Sequence, residues 1–438
     1  MLVALQRVLR HALYGARGGF LVRPLVIAFV LGACGVLLPW AEQASGLVER
    51  LVVSGGHFAL EDASTAQGML GTISNAVMTV VSIVLSVLLV ALTLASMQFS
   101  PRILTAFVED RASQRTIGVF LGTFLYCLGA YPTCRLGVRP SAYTVALFGA
   151  TLLAMACTVG LVIFIHHIAR SINVNFITER IAQETERIID ETMPSDLVGR
   201  VTSADHPLPT FDGSVIAAGR SGYIRFVDMN RLRDLATSYG VAVSVLRRVG
   251  QFVPAGVPLL RFSRSKTLDA EAFLEAVDVG PVRTMEQDVE FGALQLVDIA
   301  LKAISPAVND PSTAINCIDQ LSRLLVRVAT REPVPFVLFR PPGVARVVIP
   351  AVSFEHLLQV AFAQIVHYGR TDFAVSLRVM RALGDITTVT TDRRYLHALE
   401  ASARGVATEC LAHLPETSHA EVRARLQTVL DQAARGTA

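Results

Sequence analysis

The sequence lacks the short motifs that mark the common enzyme families. It contains no GxSxG, no Walker loop, no HExxH and no GxGxxG that opens a helix. No nucleophile is paired with a recognisable base. We therefore predict no catalytic residue and no cofactor, and an enzymatic activity is favoured less than a channel or a sensor role.

Charge is also scarce, and its scarcity limits the partners of the protein. Charged residues make up 17% of the 438 residues, and the formal net charge is only +3. The sequence has no run of lysine or arginine and no basic patch interleaved with aromatic residues, which are the features that hold nucleic-acid phosphates. We predict no nucleic-acid partner.

Paired cysteines are absent as well. The six cysteines are scattered without a CxxC pair, at Cys34, Cys127, Cys134, Cys157, Cys317 and Cys410. This spacing provides neither the ligand set of a zinc site nor a disulfide framework. We interpret these residues as small buried apolar side chains, and the sequence identifies no metal ligand.

Apolar residues are abundant, and they are concentrated in one half of the chain. Hydrophobic residues make up 52% of the sequence and the mean hydropathy is +0.50, which is hard to reach without lipid-embedded segments. Nearly all the long apolar runs precede Ser171. We predict a four-helix transmembrane domain over residues 1–170, with spans at 25–40, 69–97, 117–131 and 143–165. The first and third spans are short for a bilayer core of about 30 Å.

The arginines orient these four spans. Most of the flanking arginines fall on one side if both termini are cytoplasmic, namely Arg7, Arg10, Arg17, Arg23, Arg102, Arg111, Arg115, Arg170 and Arg180. The first opposite loop carries Glu42, Glu49, Glu61 and Asp62 with Arg50, whereas Arg135 and Arg139 in the second opposite loop depart from this pattern. We predict a multi-pass protein of the bacterial inner membrane with both termini in the cytoplasm.

A second interpretation of the N-terminal segment stays open. Basic residues and a short apolar core precede the sequence LGAC at residues 31–34, which is similar to a lipoprotein cleavage site. Cleavage there would remove the first span and reverse the charge pattern of the loops. The apolar run continues to Trp40, however, and this favours a spanning helix.

Polar side chains follow one face of the second span. They recur at alternating intervals of four and three residues, interrupted by Leu89, at Asn75, Thr79, Ser82, Ser86, Thr93 and Ser96. Such a face should not meet lipid unless its polar groups find partners. One interpretation is close helix packing, with the hydroxyls bonded to carbonyls or to neighbouring helices, and the other is a face that lines a water-filled path.

Two adjacent histidines, His166 and His167, end the fourth span. Histidines at this position are predominantly membrane-interface anchors, and this is the interpretation we favour. A metal-binding or pH-sensing role is the alternative.

Beyond the membrane domain the sequence predicts a cytosolic α+β domain. Residues 171–195 have the pattern of a connecting amphipathic helix, and 281–438 are mainly helical with a β-hairpin near 334–349. Between them, residues 196–280 predict a small β-module, in which "GYI", "VGQFV" and "GVPL" resemble successive turns of the barrel-sandwich fold of biotinyl and lipoyl domains. No lysine occupies these turns, so we do not predict a carrier role.

A cluster of polar residues follows a predicted helix break at Ser305-Pro306. The cluster comprises Asn309, Asp310, Thr313, Asn316 and Asp319. Asp310 before Pro311 is typical of a helix N-cap followed by proline at the first helical position. The excess of oxygen-bearing side chains leaves a ligand or hard-cation site as the alternative, but their spacing matches no calcium loop.

Three segments together resemble a known family. They are "SPAVNDPSTAINCIDQL" at 305–321, "MQFSPRIL" at 97–104 and "FIHHIARSINV" at 164–174. They are similar to the bacterial predicted membrane proteins called domain of unknown function 2254, and the likeness runs over most of the chain. The resemblance implies four membrane helices followed by a cytosolic domain, and it implies no activity.

These observations lead to two functional hypotheses. The first is a homo-oligomeric channel or transport-type protein in membrane lipid, with the second spans gathered around an axis and the cytosolic domain acting as a gate. The alternative is a membrane-anchored sensor or scaffold that binds a ligand or partner through the β-module and the turn at 309–316. The polar face of the second span favours the first hypothesis.

Overall fold

The computed structural model describes residues 22–46, 63–98, 110–133, 140–171, 173–193, 209–331, 336–340 and 344–436. The chain forms two compact units, Met1–Asn173 and Val174–Ala438. The motif at 97–104 lies almost wholly outside the described residues, and so does Cys134.

The described part of the first unit contains four helices that are long and apolar enough to cross a membrane. They are α1 (Val22–Ser45), α2 (Ala63–Gln98), α3 (Arg111–Ala130) and α4 (Pro140–Ser171). Each contains one of the four predicted spans, which confirms the four apolar helices. The first and third are longer than their apolar runs, because α1 extends through Glu42 and α3 begins at the polar residues that follow its cap, Asp110.

Small residues bring α1 and α3 into close contact. A Cβ atom on Gly35 would lie 2.3 Å from the carbonyl oxygen of Tyr126, and one on Gly122 would lie 2.5 Å from Leu31. Membrane helices associate through such small residues because lipid provides no hydrophobic driving force between them. Helix α2 packs against α3 and α4 through Val77, Val81 and Val84.

The second unit begins with helix α5 (Val174–Thr192) and continues into a region of short strands. The elements of this region are β1 (Val215–Ala217), β2 (Gly222–Val227), α6 (Met229–Tyr239), β3 (Val243–Val245), β4 (Phe252–Val253), β5 (Pro258–Phe262), α7 (Ala270–Leu274) and β6 (Val277–Gly280). The remainder consists of α8 (Val289–Ala303), α9 (Pro311–Ala329), β7 (Phe336–Arg340), β8 (Val344–Ile349), α10 (Phe354–Gly369), α11 (Phe373–Thr387), α12 (Arg393–His413) and α13 (His419–Gly436).

The strands form two small sheets around a shared apolar core. One sheet has the order β1-β5-β3-β8-β7 and the other the order β4-β2-β6. The hairpin β7–β8 joins the first sheet because β8 pairs in parallel with β3, with Val243 opposite Val347. Ile224, Val243, Leu260, Phe262 and Val347 are fully buried in this core.

Helices α5, α8 and α9 of the second unit lie along two opposite directions. Helix α5 runs alongside α9 in the same sense, because Thr178 bonds to Asn316 near their beginnings and Asp190 contacts Arg327 near their ends. Helices α8 and α9 form an antiparallel hairpin, closed where the backbone N–H of Asp310 donates to the carbonyl of Ala303 at 2.8 Å. This unit therefore contains a helical layer built on α5, α8 and α9.

Candidate functional site

The predicted polar residues of α2 lie on the outside of the first unit. Asn75, Thr79, Ser82, Ser86 and Thr93, which we call the polar face, are all exposed, whereas Val77, Val81 and Val84 on the other side of the helix are buried. The side chain of Ser96 lies outside the described residues. Among the described residues of a single chain, the polar face is therefore not buried against the other three membrane helices.

The hydroxyl groups of the polar face are bonded within α2. Thr79 Oγ1 donates to the carbonyl of Asn75 at 2.9 Å, Ser86 Oγ to that of Ser82 at 2.8 Å and Thr93 Oγ1 to that of Leu89 at 2.8 Å. Ser82 Oγ likewise donates to Met78 at 3.1 Å. Such bonds satisfy a hydroxyl donor in an apolar medium, although each oxygen keeps free acceptor capacity.

Asn75 differs from these hydroxyl residues. Its side-chain amide has no hydrogen-bond partner among the described residues, and it is exposed. It lies 12 residues into α2, about 18 Å along an axis that rises about 1.5 Å per residue. A bilayer core of about 30 Å centred on the span Ala63–Leu94 includes this depth. An amide left unbonded in hydrocarbon costs several kcal/mol, so Asn75 needs water or another polar group.

His167 is held by an acidic residue that the sequence analysis did not single out. Its Nε2 lies 2.9 Å from Oδ2 of Asp110, while the same carboxylate accepts the backbone N–H of Ser113 at 2.8 Å and caps α3. Burial opposes ionisation of Asp110, but the bonds to Ser113 and the proximity of His167 outweigh it and lower the pKa of Asp110. His166 is exposed.

The predicted residues 309–319 have separate partners. Asp310 caps α9 by accepting the backbone N–H of Thr313 at 3.1 Å and its hydroxyl at 2.6 Å. Asn316 accepts a hydrogen bond from Thr178 at 2.7 Å, and Asp319 forms an ion pair with Arg378. Asn309 has φ of 50°, a left-handed conformation that asparagine tolerates better than most residues. These oxygens act as caps and tertiary contacts, and a ligand role for the turn stays a prediction.

Clusters that fit a metal ion are absent from the described residues. No group of three or more His, Cys, Asp or Glu side chains is suitably placed there. Four of the six cysteines, Cys127, Cys157, Cys317 and Cys410, are buried, and Cys34 is partly buried.

An arginine ladder joins α9 to α5 and is the main polar feature of the second unit. The ladder consists of Arg323 and Arg327, four residues apart on one face of α9, and Arg331, two residues beyond the end of the helix. Arg323 donates to both oxygens of Glu186 at 2.8 and 2.6 Å and to Glu179 at 2.9 Å. Hydrogen bonds from Arg323 and Arg327 lower the pKa of Glu179 and Asp190 respectively.

A shallow groove of about 510 Å³ runs beside this ladder. Its lining includes Glu186, Asp319, Arg323, Arg327 and Asp385. Glu186 forms an ion pair with Arg323, and Asp319 forms one with Arg378. Most of the charged side chains that line the groove are therefore already paired within the protein. The sequence pattern predicted an amphipathic α5 but gave no sign of its partner, since the paired residues lie 137 positions or more apart.

A second charge cluster lies where the sheets meet the helices. Asp288, which caps α8 and is 3% exposed, accepts two hydrogen bonds from Arg283 at 2.9 Å each. Glu290 approaches Arg248 at 3.4 Å and His356 at 3.2 Å. Burial raises the pKa of Asp288 to about 6, against the opposing attraction of Arg283. This cluster holds α8, α10 and the β3–β4 turn together.

Together, the four apolar helices and the separate unit of helices and small sheets define a multi-span membrane protein with an attached folded domain. The chain matches the family described as "Predicted membrane protein (DUF2254)" over residues 17–385. It therefore belongs to this family, as the three sequence motifs indicated.

Relatives of known sequence include two from mycobacteria. An uncharacterized protein of Mycobacterium tuberculosis and another of Mycobacterium bovis are each 31% identical to the chain over 370 residues. The aligned region covers 82% of this chain and 70% of each relative. No solved structure matches the chain.

Proposed function

We propose that this protein is a homo-oligomeric channel or transport-type protein of the bacterial inner membrane, with both termini in the cytoplasm. In this proposal the polar faces of α2 from several copies surround an axis in the lipid bilayer. The second unit, on the cytoplasmic side, assembles the copies and gates the path. The excess of arginine in the loops on that side supports the orientation.

The observation that carries the proposal is the exposed amide of Asn75. A lone polar side chain at this depth is stable if it meets water or another copy of the same residue, and both conditions hold in a ring of α2 helices. The free acceptor capacity of the Thr79, Ser82 and Ser86 oxygens extends the same polar face along the helix. Lipid alone would leave the amide unbonded.

An oligomer is needed because the described membrane helices of a single chain do not enclose a path along the polar face. The buried side of α2 is filled by apolar side chains of α3 and α4, including Phe120 and Phe164. The polar face therefore has to be closed by another copy. We further propose that the two small sheets form a barrel-sandwich-like module that serves assembly, since their core is apolar and the turn sequences GYI, VGQFV and GVPL hold no lysine for a carrier group.

Cysteine accessibility tests the path directly. In a variant without its native cysteines, Thr79→Cys, Ser82→Cys and Ser86→Cys are introduced singly into the full chain in liposomes. We expect each to react with a water-soluble, membrane-impermeant thiol reagent. The matched control is Val87→Cys, because Val87 is also exposed but lies on a different face of α2, and it should stay unreactive.

Protection at all three polar positions, or equal reaction at position 87, would refute the water-filled path. The mass of the detergent-solubilised particle provides the second measurement. A closed ring is expected, whereas a monomer would contradict conduction and favour the membrane-anchored sensor or scaffold. Ion flux into liposomes should also fall when Asn75 is replaced by leucine.

A further inference from the structure

The helices of the second unit place several chain turns at one end of that unit. Helix α10 runs parallel to α8, because His356 meets Glu290 near their beginnings and Gly369 meets Ile304 at their ends. Helix α11 begins directly after the end of α10, and Arg378 on α11 pairs with Asp319 on α9. The beginning of α5, the turn at 304–310 and the turn at 370–372 therefore lie at the same end, which we call the Val174 end.

Within the helical part of the second unit, the exposed apolar side chains are concentrated at the Val174 end. Among the described residues of α5, α8 to α13 and their turns, the exposed large hydrophobic residues are Phe176, Val308, Tyr368, Phe373 and Val389. Four of these five lie at the Val174 end, and Val389 lies at the opposite end of α11. Val308 is 48% exposed and Tyr368 is 65% exposed, so each presents apolar surface outward.

The short connection between α4 and α5 limits the distance between Ser171 and Val174. Only residues 172 and 173 separate Ser171, the last residue of α4, from Val174. Fully extended chain spans at most about 3.6 Å per residue, so Val174 lies within about 11 Å of the end of a membrane span. The bond between Thr178 and Asn316 places the beginning of α9 level with that of α5. The turn that carries Val308 is therefore at the same level as Val174.

The chemistry of this end fits a lipid surface. Tyrosine and phenylalanine favour the boundary between headgroups and acyl chains, because their rings are apolar and tyrosine keeps its hydroxyl in water. Lys302 is exposed in the last turn of α8, and Arg370 follows α10 directly. Long cationic side chains beside apolar ones pair with the phosphates of anionic lipids.

We propose that the Val174 end rests on the headgroup layer of the bilayer, with Val308, Tyr368 and Phe373 inserted as apolar anchors and Lys302 and Arg370 facing lipid phosphates. The second unit is then held at the membrane by this surface as well as by the covalent link to α4. This inference depends on the membrane assignment and is independent of whether the protein conducts.

Lipid-quenched tryptophan fluorescence tests the proposal on the full chain. The sequence has one tryptophan, Trp40, so a Trp40→Phe background carries none. Tyr368→Trp and Val308→Trp are then compared with Val389→Trp, whose position is 39% exposed at the opposite end of the unit. In phosphatidylcholine and phosphatidylglycerol liposomes with lipids brominated near the headgroup, we expect the first two to lose emission and the control to keep it.

Unquenched emission at positions 368 and 308, or equal quenching at 389, would overturn the proposal. Shielding of position 368 from aqueous acrylamide without quenching by brominated lipid would also overturn it, because it would show that a second copy covers this end. Omitting phosphatidylglycerol should weaken the quenching, and Lys302→Gln with Arg370→Gln should remove that dependence on anionic lipid. Circular dichroism of each variant confirms that the fold is retained.

Discussion

The imidazole of His167 and the carboxylate of Asp110 lie 2.9 Å apart although 57 residues separate them in the chain. The contact joins the last turns of α4 to the cap of α3, so it ties together two membrane helices near one end of each. Ser171 Oγ lies 3.5 Å from the same imidazole nitrogen. Asp110 connects the two helices, because its carboxylate both caps α3 and contacts His167 on α4.

The two roles of Asp110 can be separated by substitution. Asp110→Asn keeps a cap acceptor for Ser113 but loses the charge, whereas Asp110→Ala loses both. We expect Asp110→Ala to cost about 1–2 kcal/mol, the usual range for a lost helix cap plus a partly buried pair, and Asp110→Asn about half of that. Thermal unfolding in detergent measures the difference. Equal losses in the two variants would argue against capping as the main contribution.

The arginine ladder should contribute to the stability of the second unit and respond to salt. We expect Arg323→Ala to destabilise it by about 1 kcal/mol, since two carboxylates lose a partly exposed partner. The control is Arg187→Ala, because Arg187 lies on α5 and, among the described residues, its ion pair is an exposed one with Glu191. That change should be nearly neutral. Unfolding curves of both variants are measured at low and at high salt. The destabilisation caused by Arg323→Ala should be smaller at high salt.

Close contact between α5 and α8 depends on the absence of a side chain at Gly292. A Cβ atom there would lie 2.0 Å from Oγ1 of the fully buried Thr185. Gly292→Ala should therefore destabilise the protein by about 1–3 kcal/mol through overpacking. A Cβ atom on Gly405 in α12 would have no neighbouring atom within 4 Å. Gly405→Ala should therefore stabilise the protein by up to about 1 kcal/mol, because alanine favours a helix. Opposite signs of the two changes in melting temperature are the expected result.

The buried carboxyl of Asp288 should make stability depend on pH. Its pKa in the folded protein is raised to about 6, above the value of about 3.9 for an unfolded chain. The folded state therefore holds the proton more tightly, and stability falls as pH rises from about 4 to about 6. Asp288→Asn keeps a cap acceptor but has no titrating group at this position. The free energy of unfolding of this variant, relative to that of the unsubstituted protein, should therefore rise as the pH rises over the same interval. A difference that is flat with pH would contradict this assignment.

The four membrane helices were predictable because lipid leaves a strong signal in the sequence, namely apolar runs of sufficient length. The alternating spacing from Asn75 to Thr93 similarly predicted a single polar face. Helix caps such as Asp310 were predictable for a local reason, since the acceptor and its donor lie three residues apart.

The long-range contacts could not be read from the chain. Amphipathic periodicity indicates which side of α5 is buried, but it does not say that Arg323 of α9 pairs with Glu179 and Glu186 on α5. The hairpin β7–β8 was predictable from two strand-like runs around a turn, whereas its parallel pairing with β3 depends on tertiary packing. For the same reason the contact between His167 and Asp110 could not be predicted from the sequence.

The parallel pairing of β3 with β8 also sets an order of events during synthesis. The five-stranded sheet joins Val243–Val245 to Val344–Ile349, which the ribosome adds about 100 residues later. At a translation rate of about 5–20 residues per second, β3 waits roughly 5–20 s for its neighbour. During that interval one edge of β3 has no strand beside it, so a nascent chain stalled before residue 344 is a favourable target for chaperones that bind open strand edges.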